Sequence, residues 1–354
     1  MNKSFFIGEK GVGDGYPPYI IAEMSANHSQ SLASAIKIVE KAADAGVDAI
    51  KLQTYTADDM TLDVKTGKFL ISDPTNPWKG QTLHALYQKA ATPWEWHEEL
   101  FKRAHSLGLH IFSSPFSAAA ADFLEKLNVP AYKIASPECI DIPLLEQVAK
   151  KGKPIIISTG MANEMEIDEA LQAVKDLGCK DTALLKCTSC YPTNPEDVNL
   201  LQISELKKRF DCVVGFSDHT LGISIALAAI AAGASIIEKH LTLDKRDGSV
   251  DSFFSATPDE FGELVRESNK VWTALGKKIY GPVPAEKGSL DYRRSLYVAK
   301  DVKKGEFFTP LNLRSIRPAG GVAPKHLKDF LNQVALREVK KGTPVSWDMI
   351  KSAP

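Results

Sequence analysis

Residues 213–243, VVGFSDHTLGISIALAAIAAGASIIEKHLTL, indicate the fold most clearly. The runs at 213–220 and 234–243 begin almost continuously hydrophobic, as expected of parallel strands that are buried on both faces. Between them, residues 222–233 have helical character and end at Gly233. The segment therefore predicts a strand, a helix and a second strand, and both strands end in polar residues that include a histidine.

The same unit recurs over most of the chain. Six further apolar runs precede it, at residues 19–25, 48–55, 109–116, 131–136, 153–160 and 182–189. Helical patterns lie between and after the runs, at residues 31–46, 93–108, 118–128, 142–152, 164–178, 197–210, 222–233 and 258–276. Eight strand–helix units predict an α/β fold, a (β/α)8 TIM barrel. A doubly wound open sheet is the alternative, but the first strand ends in AEMSANH instead of a glycine-rich phosphate turn.

The character of the sequence changes after residue 276. We predict a barrel domain over residues 1–276, a linker rich in Gly, Pro and charge over 277–292, and a small, mostly β domain over 293–354. Such a small domain buries little surface by itself, so we expect it to dock onto a partner. Within the barrel, residues 56–92 are long for a strand-to-helix connection and are expected to form a lid or a binding loop.

Composition excludes several classes of protein. The chain has 354 residues and a net charge of -1, so no strong field favours nucleic acid or an anionic membrane surface. No apolar run is long enough to span a bilayer and the N-terminus lacks signal-peptide features, so we expect a cytoplasmic protein. The five cysteines are irregularly spaced, and the Cys187-x-x-Cys190 pair closes a strand-like run, which argues against a redox or zinc role.

Polar residues late in the strand runs indicate an enzyme, because TIM barrels carry their active sites at the ends of the strands. Strand alternation puts Ser217 on one face with His219, and likewise Glu238 with His240. Asp218 and Lys239 then point outward, toward the helices. Two convergent histidines with open positions suit an ion such as Mn²⁺, Co²⁺, Zn²⁺ or Mg²⁺. The alternative is a hydrogen-bonded pair without metal.

Lysines inside otherwise apolar strands are seldom ordinary surface residues. Lys51 and Lys133 share the predicted rim with several serines, a combination that suits phosphate or carboxylate. A Schiff-base aldolase is the alternative, with Lys186 as the candidate nucleophile. Alternation counts against it, because Lys186 faces outward if Ser189 and Tyr191 face inward.

Eight ordered motifs resemble the sialic acid synthase family, and the resemblance runs from about residue 5 to 350. They are AEMSANH, KLQTY, FSSPF, AYKIAS, STGMA, KCTSCYPT, GFSDHT and IEKHLTLD. The tail resembles that family's antifreeze-like (SAF) domain, which there caps the neighbouring subunit's active site. The resemblance therefore implies a domain-swapped homodimer that condenses phosphoenolpyruvate with an open-chain acetamido sugar aldehyde.

The resemblance also implies roles for individual residues. Glu23 would act as a base or orient water, while His219 and His240 would hold a divalent metal ion (Mn²⁺, Co²⁺ or Mg²⁺). Phosphoenolpyruvate would be bound by Lys51, Ser114, Lys133, Ser136, Ser158, Ser189 and Ser217. The sugar would be contacted by Gln53, Tyr191, Asp251 and, from the partner's tail, Arg317. Glu138, close to Ser136, is a further predicted substrate-binding residue.

Within the family, the motifs AEMSANH, QTY and CTS resemble the members that make pseudaminic acid from 2,4-diacetamido-2,4,6-trideoxy-L-altrose. Ser189 replaces an Asn of the neuraminate-forming members, which puts a neuraminate product in doubt. A legionaminic or N-acetylneuraminic acid synthase is the first alternative. A non-catalytic barrel that binds sugar phosphates is the second.

Overall fold

The computed structural model describes residues 3–74 and 78–351, so residues 75–77 of the predicted binding loop lie outside the described residues. Its contacts divide the chain into two compact units, Met1–Gly276 and Lys277–Pro354. Each unit has its own hydrophobic core.

A short hairpin opens the chain and is not among the elements predicted from the sequence. β1 (Ser4–Ile7) pairs antiparallel with β2 (Lys10–Gly13). Lys10 bonds Asp48, which directly precedes a barrel strand, at 2.7 Å. The hairpin therefore packs at the amino-terminal end of the barrel, away from the strand ends that carry the predicted site.

Eight parallel strands close the barrel, which confirms the predicted fold. They are β3 (Tyr19–Glu23), β4 (Ala49–Thr54), β5 (His110–Pro115), β6 (Tyr132–Ile134), β7 (Ile155–Ser158), β8 (Thr182–Cys187), β9 (Val213–Asp218) and β10 (Ile236–His240). β10 closes the ring beside β3, with His240 opposite Glu23. The strands are buried almost throughout, as their continuous Ile, Val and Leu runs require.

Helices cover the outside of the barrel and form its connections. They are α1 (Leu32–Asp44), α2 (Ala57–Met60), α3 (Leu83–Ala90), α4 (His97–Ser106), α5 (Ala118–Lys126), α6 (Ile142–Ala149), α7 (Glu164–Asp176), α8 (Leu201–Phe210), α9 (Ser224–Ala231) and α10 (Pro258–Leu275). Capping boxes from Asn163 with Glu166 and Thr257 with Glu260 fix the starts of α7 and α10. α8 begins four residues later than predicted, because a 3-10 turn (Pro195–Asp197) and the left-handed Asn199 precede it.

The second unit contains the antiparallel pair β11 (Ser295–Val298) and β12 (Leu313–Ile316), together with the short helix α11 (Leu327–Phe330). Phe308, Phe330 and Val345 contribute to its core. A 3-10 helix (Pro284–Tyr292) lies within the segment predicted as a linker. Among the described helices of both units, none is long and apolar enough to cross a membrane.

Candidate active site

Four charged side chains are buried together at the carboxyl ends of the barrel strands. They are Glu23 of β3, Lys51 of β4, Lys133 of β6 and Glu238 of β10. Lys51 Nζ pairs with Glu23 Oε2 and lies 3.7 Å from Glu238 Oε1. Lys133 Nζ lies 3.6 Å from the same Glu238 oxygen. We call these four residues the charge cluster.

Three serine hydroxyls form hydrogen bonds with members of the charge cluster. Ser158 Oγ accepts a hydrogen bond from Lys133 Nζ at 2.7 Å, and Ser114 Oγ accepts one from Lys51 Nζ at 3.4 Å. Ser217 Oγ donates to Glu238 Oε1 at 3.2 Å. Cations and hydroxyls are thus gathered at one place, as a phosphate or carboxylate ligand requires.

The alternation predicted for β9 and β10 is confirmed. Lys239 Nζ bonds Asp218 Oδ2 at 2.8 Å on the outer side of the strands, whereas Ser217 and Glu238 meet on the inner side. Lys186 Nζ bonds its neighbours, the carbonyl of Cys187 at 2.8 Å and the hydroxyl of Thr188 at 3.0 Å. A Schiff-base role for Lys186 therefore has no support in the geometry.

Burial and charge move the pKa values of the cluster in different directions. Burial raises the pKa of Glu23, and Lys51 offsets this only in part. Burial would also raise the pKa of Glu238, but Lys133 and Lys51 outweigh it and hold the value below its usual range. Burial lowers the pKa of Lys133. Charges held together at such desolvation cost are more typical of a functional site than of a stabilising one.

Ser136 and Ser189 close around the backbone of Gly160. Ser136 Oγ accepts a hydrogen bond from the Gly160 amide at 3.1 Å. A Cβ atom at Gly160 would lie 2.5 Å from Ser189 Oγ and 2.7 Å from Ser136 Oγ, so only glycine fits between the two hydroxyls. Both serines therefore lie against the backbone of Gly160, which follows β7 by two residues.

His219 and His240 meet edge to face above the barrel mouth, with ring centroids 5.3 Å apart. His219 Nδ1 lies 3.0 Å from the carbonyl oxygen of Thr188, which can only accept, so Nδ1 carries a proton and donates it to that oxygen. His240 Nδ1 is buried without a hydrogen-bond partner. Burial, followed by the nearby His219, lowers the pKa of His240 well below its usual value, so its imidazole is neutral.

Within residues 3–74 and 78–351, no three His, Cys, Asp or Glu side chains group as ligands of a metal ion. The neutral imidazole and unpartnered Nδ1 of His240, with His219 beside it, nevertheless fit a metal that takes its other ligands from substrate and water. Cys187 Sγ lies 4.0 Å from His219 Nδ1, and Cys187 and Cys190 are free thiols.

Further hydrogen bonds link the charge cluster to the residues that were predicted to contact the sugar. Ser25 donates its backbone amide to Glu23 Oε1 at 2.9 Å and its hydroxyl to Asp251 Oδ2 at 2.5 Å. Gln53 Nε2 donates to Ser25 Oγ at 3.1 Å. Tyr191 packs against His219, with ring centroids 4.4 Å apart. Of the predicted sugar-contacting residues, Gln53, Tyr191 and Asp251 are therefore brought together.

The remaining two predicted residues are Glu138 and Arg317. Glu138 follows β6 on a 3-10 turn (Pro137–Ile140), and burial raises its pKa to about 7. Arg317 is an exposed residue of the second unit that directly follows β12. Its assignment to a partner's site stays a prediction.

Two residues at the centre of the site had no predicted role. The alternation of β10 gave the direction of Glu238, but only the closed barrel shows that it meets both lysines. Ser25 lies just beyond β3 with a φ of 45°, a left-handed conformation that is uncommon for residues other than glycine. No periodic pattern could have identified it.

A closed parallel barrel with buried lysines, carboxylates and paired histidines at its carboxyl mouth defines a TIM-barrel enzyme. A NeuB family model matches residues 38–280 and a SAF domain model matches residues 293–351. The chain belongs to the NeuB family, which confirms the resemblance seen in its motifs, and its tail is a SAF domain.

Individual relatives agree with this assignment. The chain is 43% identical over 337 residues to a pseudaminic acid synthase of Helicobacter pylori, covering 95% of this chain and 98% of that protein. It is 42% identical to the pseudaminic acid synthase of Campylobacter jejuni serotype O:2, covering 92% and 94%. Among solved structures, the N-acetylneuraminic acid synthetase of Leptospira borgpetersenii in complex with citrate matches with a TM-score of 0.74 and 32% identity, covering 83% of this chain and 97% of that one.

Proposed function

We propose that the protein condenses phosphoenolpyruvate with 2,4-diacetamido-2,4,6-trideoxy-L-altrose and water to give pseudaminic acid and phosphate. The observation that carries this proposal is the buried charge cluster lying beneath the two histidines. One part of the site suits a small anion, and the other suits the oxygen of an aldehyde. The similarity to pseudaminic acid synthases supports the choice of sugar.

In this proposal, phosphoenolpyruvate binds at the charge cluster. Its phosphate and carboxylate would take over the bonds that Lys51 and Lys133 now make to Glu23 and Glu238. The hydroxyls of Ser114, Ser158 and Ser217, together with Ser136 and Ser189 around Gly160, would satisfy the remaining oxygens. The ligand then gains from cations that are already positioned and desolvated, which is a source of electrostatic preorganisation.

His219 and His240 would hold a divalent ion such as Mn²⁺, Co²⁺ or Mg²⁺. The neutral imidazole of His240 and the hydrogen bond to the Thr188 carbonyl that orients His219 support this role. When bound, the ion would polarise the sugar aldehyde as a Lewis acid.

The proposed chemistry has three steps. Carbon 3 of phosphoenolpyruvate attacks the aldehyde carbon to form the new C–C bond, and the aldehyde oxygen takes up a proton. Positive charge develops at carbon 2, where water adds while Glu23 accepts its proton. The bond from carbon 2 to the bridging oxygen then breaks, phosphate leaves with that oxygen, and the carbon 2 hydroxyl loses its proton to become the keto oxygen.

Gln53, Tyr191 and Asp251 would orient the sugar above this centre. We further propose that Arg317 of a partner subunit's SAF domain reaches the N-acetyl group of the sugar in a domain-swapped homodimer. Its exposure in its own unit and the SAF match at residues 293–351 support this part of the proposal.

The assay that tests the proposal compares three sugars. Purified protein receives phosphoenolpyruvate, a divalent metal and either the L-altro sugar, its legionaminic acid-forming isomer or N-acetylmannosamine, and phosphate release is measured. We expect the L-altro sugar to give the highest kcat/KM. Preference for one of the other two would establish the corresponding sibling synthase instead, and equal rates would remove the claim of specificity.

A non-catalytic sugar-phosphate-binding barrel is the remaining alternative. Under that reading, His219→Ala would leave biological activity intact, since binding through the tail does not need the histidine pair. The synthase proposal expects His219→Ala to abolish pseudaminic acid formation while the protein remains folded, as checked by circular dichroism.

A further inference from the structure

A cavity of about 350 Å³ opens directly above the charge cluster. Ligand cavities in proteins usually hold about 300–1,000 Å³, so this one has the size for a small sugar. Its polar lining includes Gln53, Tyr191, His240 and Asp251. These are the residues assigned above to the sugar and its aldehyde.

The cavity also has an apolar lining. It is formed by Ile71, Trp78, Leu83, Leu86, Ala90 and Val250, which we call the apolar wall. Five of these six residues come from the long connection between β4 and α4. Most of them are only partly buried, so their hydrocarbon surface is available to whatever occupies the cavity.

Packing against the barrel fixes the position of the apolar wall. Tyr55, directly after β4, contacts Tyr87 of α3 edge to face, with ring centroids 6.0 Å apart. Gln30 Nε2 donates to the carbonyl of Lys89 at 2.9 Å and to that of Ala91 at 2.7 Å. α3 is therefore held at both its inner face and its carboxyl end.

We propose that the apolar wall is the subsite for the methyl groups of the sugar, and that it selects 6-deoxy, diacetamido sugars over sugars with hydroxyls at carbons 4 and 6. This inference rests on the proposed function. A methyl group gains from contact with such a surface, whereas a hydroxyl placed there loses its water without gaining a hydrogen bond. A hydrophobic pocket distinguishes single groups of this kind by about 10- to 200-fold.

The apolar wall does not distinguish between stereoisomers that carry the same methyl groups. In this proposal, the polar residues Gln53 and Asp251 distinguish the L-altro sugar from its legionaminic acid-forming isomer. A substitution in the apolar wall should therefore change the preference for trideoxy sugars over N-acetylmannosamine. It should leave the preference between the two trideoxy isomers unchanged.

Leu83→Asn tests this inference, because it replaces a methyl-bearing side chain by an amide of similar shape at a partly exposed position. Leu201→Asn is the matched control: Leu201 is also the first residue of a helix, α8, and lies outside the cavity. The measurements are kcat/KM for both trideoxy sugars and for N-acetylmannosamine, and KM for phosphoenolpyruvate.

For Leu83→Asn we expect kcat/KM for both trideoxy sugars to fall about 10-fold or more, with KM for phosphoenolpyruvate within about twofold of the wild type. The preference over N-acetylmannosamine should fall by a similar factor, and Leu201→Asn should change nothing. An unchanged preference in an active Leu83→Asn enzyme would overturn the inference alone. If the wild type released no phosphate with any of the sugars, the proposed function would fail, and the inference with it.

Discussion

Ser25 Oγ donates a 2.5 Å hydrogen bond to Asp251 Oδ2, while the backbone amide of Ser25 bonds the Glu23 carboxylate at 2.9 Å. One residue thus joins the proposed base of the reaction to a residue on the sugar side of the cavity. Its left-handed backbone, with a φ of 45°, brings both partners within reach.

Removal of the Ser25 hydroxyl should reduce turnover without unfolding the protein. In Ser25→Ala, buried Asp251 loses its closest donor, so we expect kcat to fall about 10- to 100-fold, with little change in KM for phosphoenolpyruvate. Ser25→Gly separates the hydroxyl from the backbone, because glycine adopts a positive φ without strain. Its kcat should fall as much as that of Ser25→Ala, yet it should be at least as stable as the wild type in thermal unfolding. Full activity in Ser25→Gly would show that the hydroxyl has no positioning role.

The raised pKa of Glu23 should be visible in the pH dependence of turnover. A base must be deprotonated to act, so kcat at saturating substrates should fall as pH drops through a pKa that lies above the usual 4.5. Saturation removes the titration of free phosphoenolpyruvate from the profile. Glu23→Gln should lower kcat at least about 100-fold and lose this acid limb. An acid limb at or below pH 4.5 in the wild type would contradict the assignment of Glu23.

Metal removal tests the histidine pair. Chelation should abolish activity and added Mn²⁺, Co²⁺ or Mg²⁺ should restore it. Metal content measured by mass spectrometry should fall in both His219→Ala and His240→Ala, with activity at least about 100-fold lower. His105→Ala, an exposed histidine of α4, is the matched control and should keep both. Unchanged metal content in the two site variants would place the ion elsewhere.

The proposed domain-swapped dimer can be tested by mixing two inactive variants. His240→Ala damages the barrel site and keeps an intact tail, whereas Arg317→Ala damages only the tail. If the tail serves the partner's barrel, subunit exchange should restore about a quarter of wild-type activity, because half of the dimers are mixed and each has one intact site. If each tail serves its own barrel, a mixed dimer has no intact site and no activity returns.

The barrel could be predicted because its signal is local and repeated. Continuous Ile and Val runs mark the strands, and alternation along β9 and β10 gave the directions of Ser217, His219, Glu238 and His240. The charge cluster was harder to predict from the sequence, because its contacts join strands that lie far apart in the chain. Glu238 reaches both Lys51 and Lys133 only because β10 closes the ring beside β3.

The apolar wall was the hardest feature to predict from the sequence. The length of the connection at residues 56–92 indicated a binding loop, but which faces of Leu83 and Leu86 meet the cavity depends on how α3 packs against Tyr55. Ser25 likewise required the backbone conformation to be known. Both features depend on loop geometry, which hydrophobic periodicity does not encode.

The proposed synthase reaction is tested most directly by a turnover assay with phosphoenolpyruvate that carries oxygen-18 in its bridging position, together with the L-altro trideoxy sugar. We expect release of phosphate that contains all of the label, and a nine-carbon keto acid whose new keto oxygen comes from water. Label retained in the keto acid would contradict C–O cleavage, and absence of phosphate release would contradict the proposed synthase activity itself.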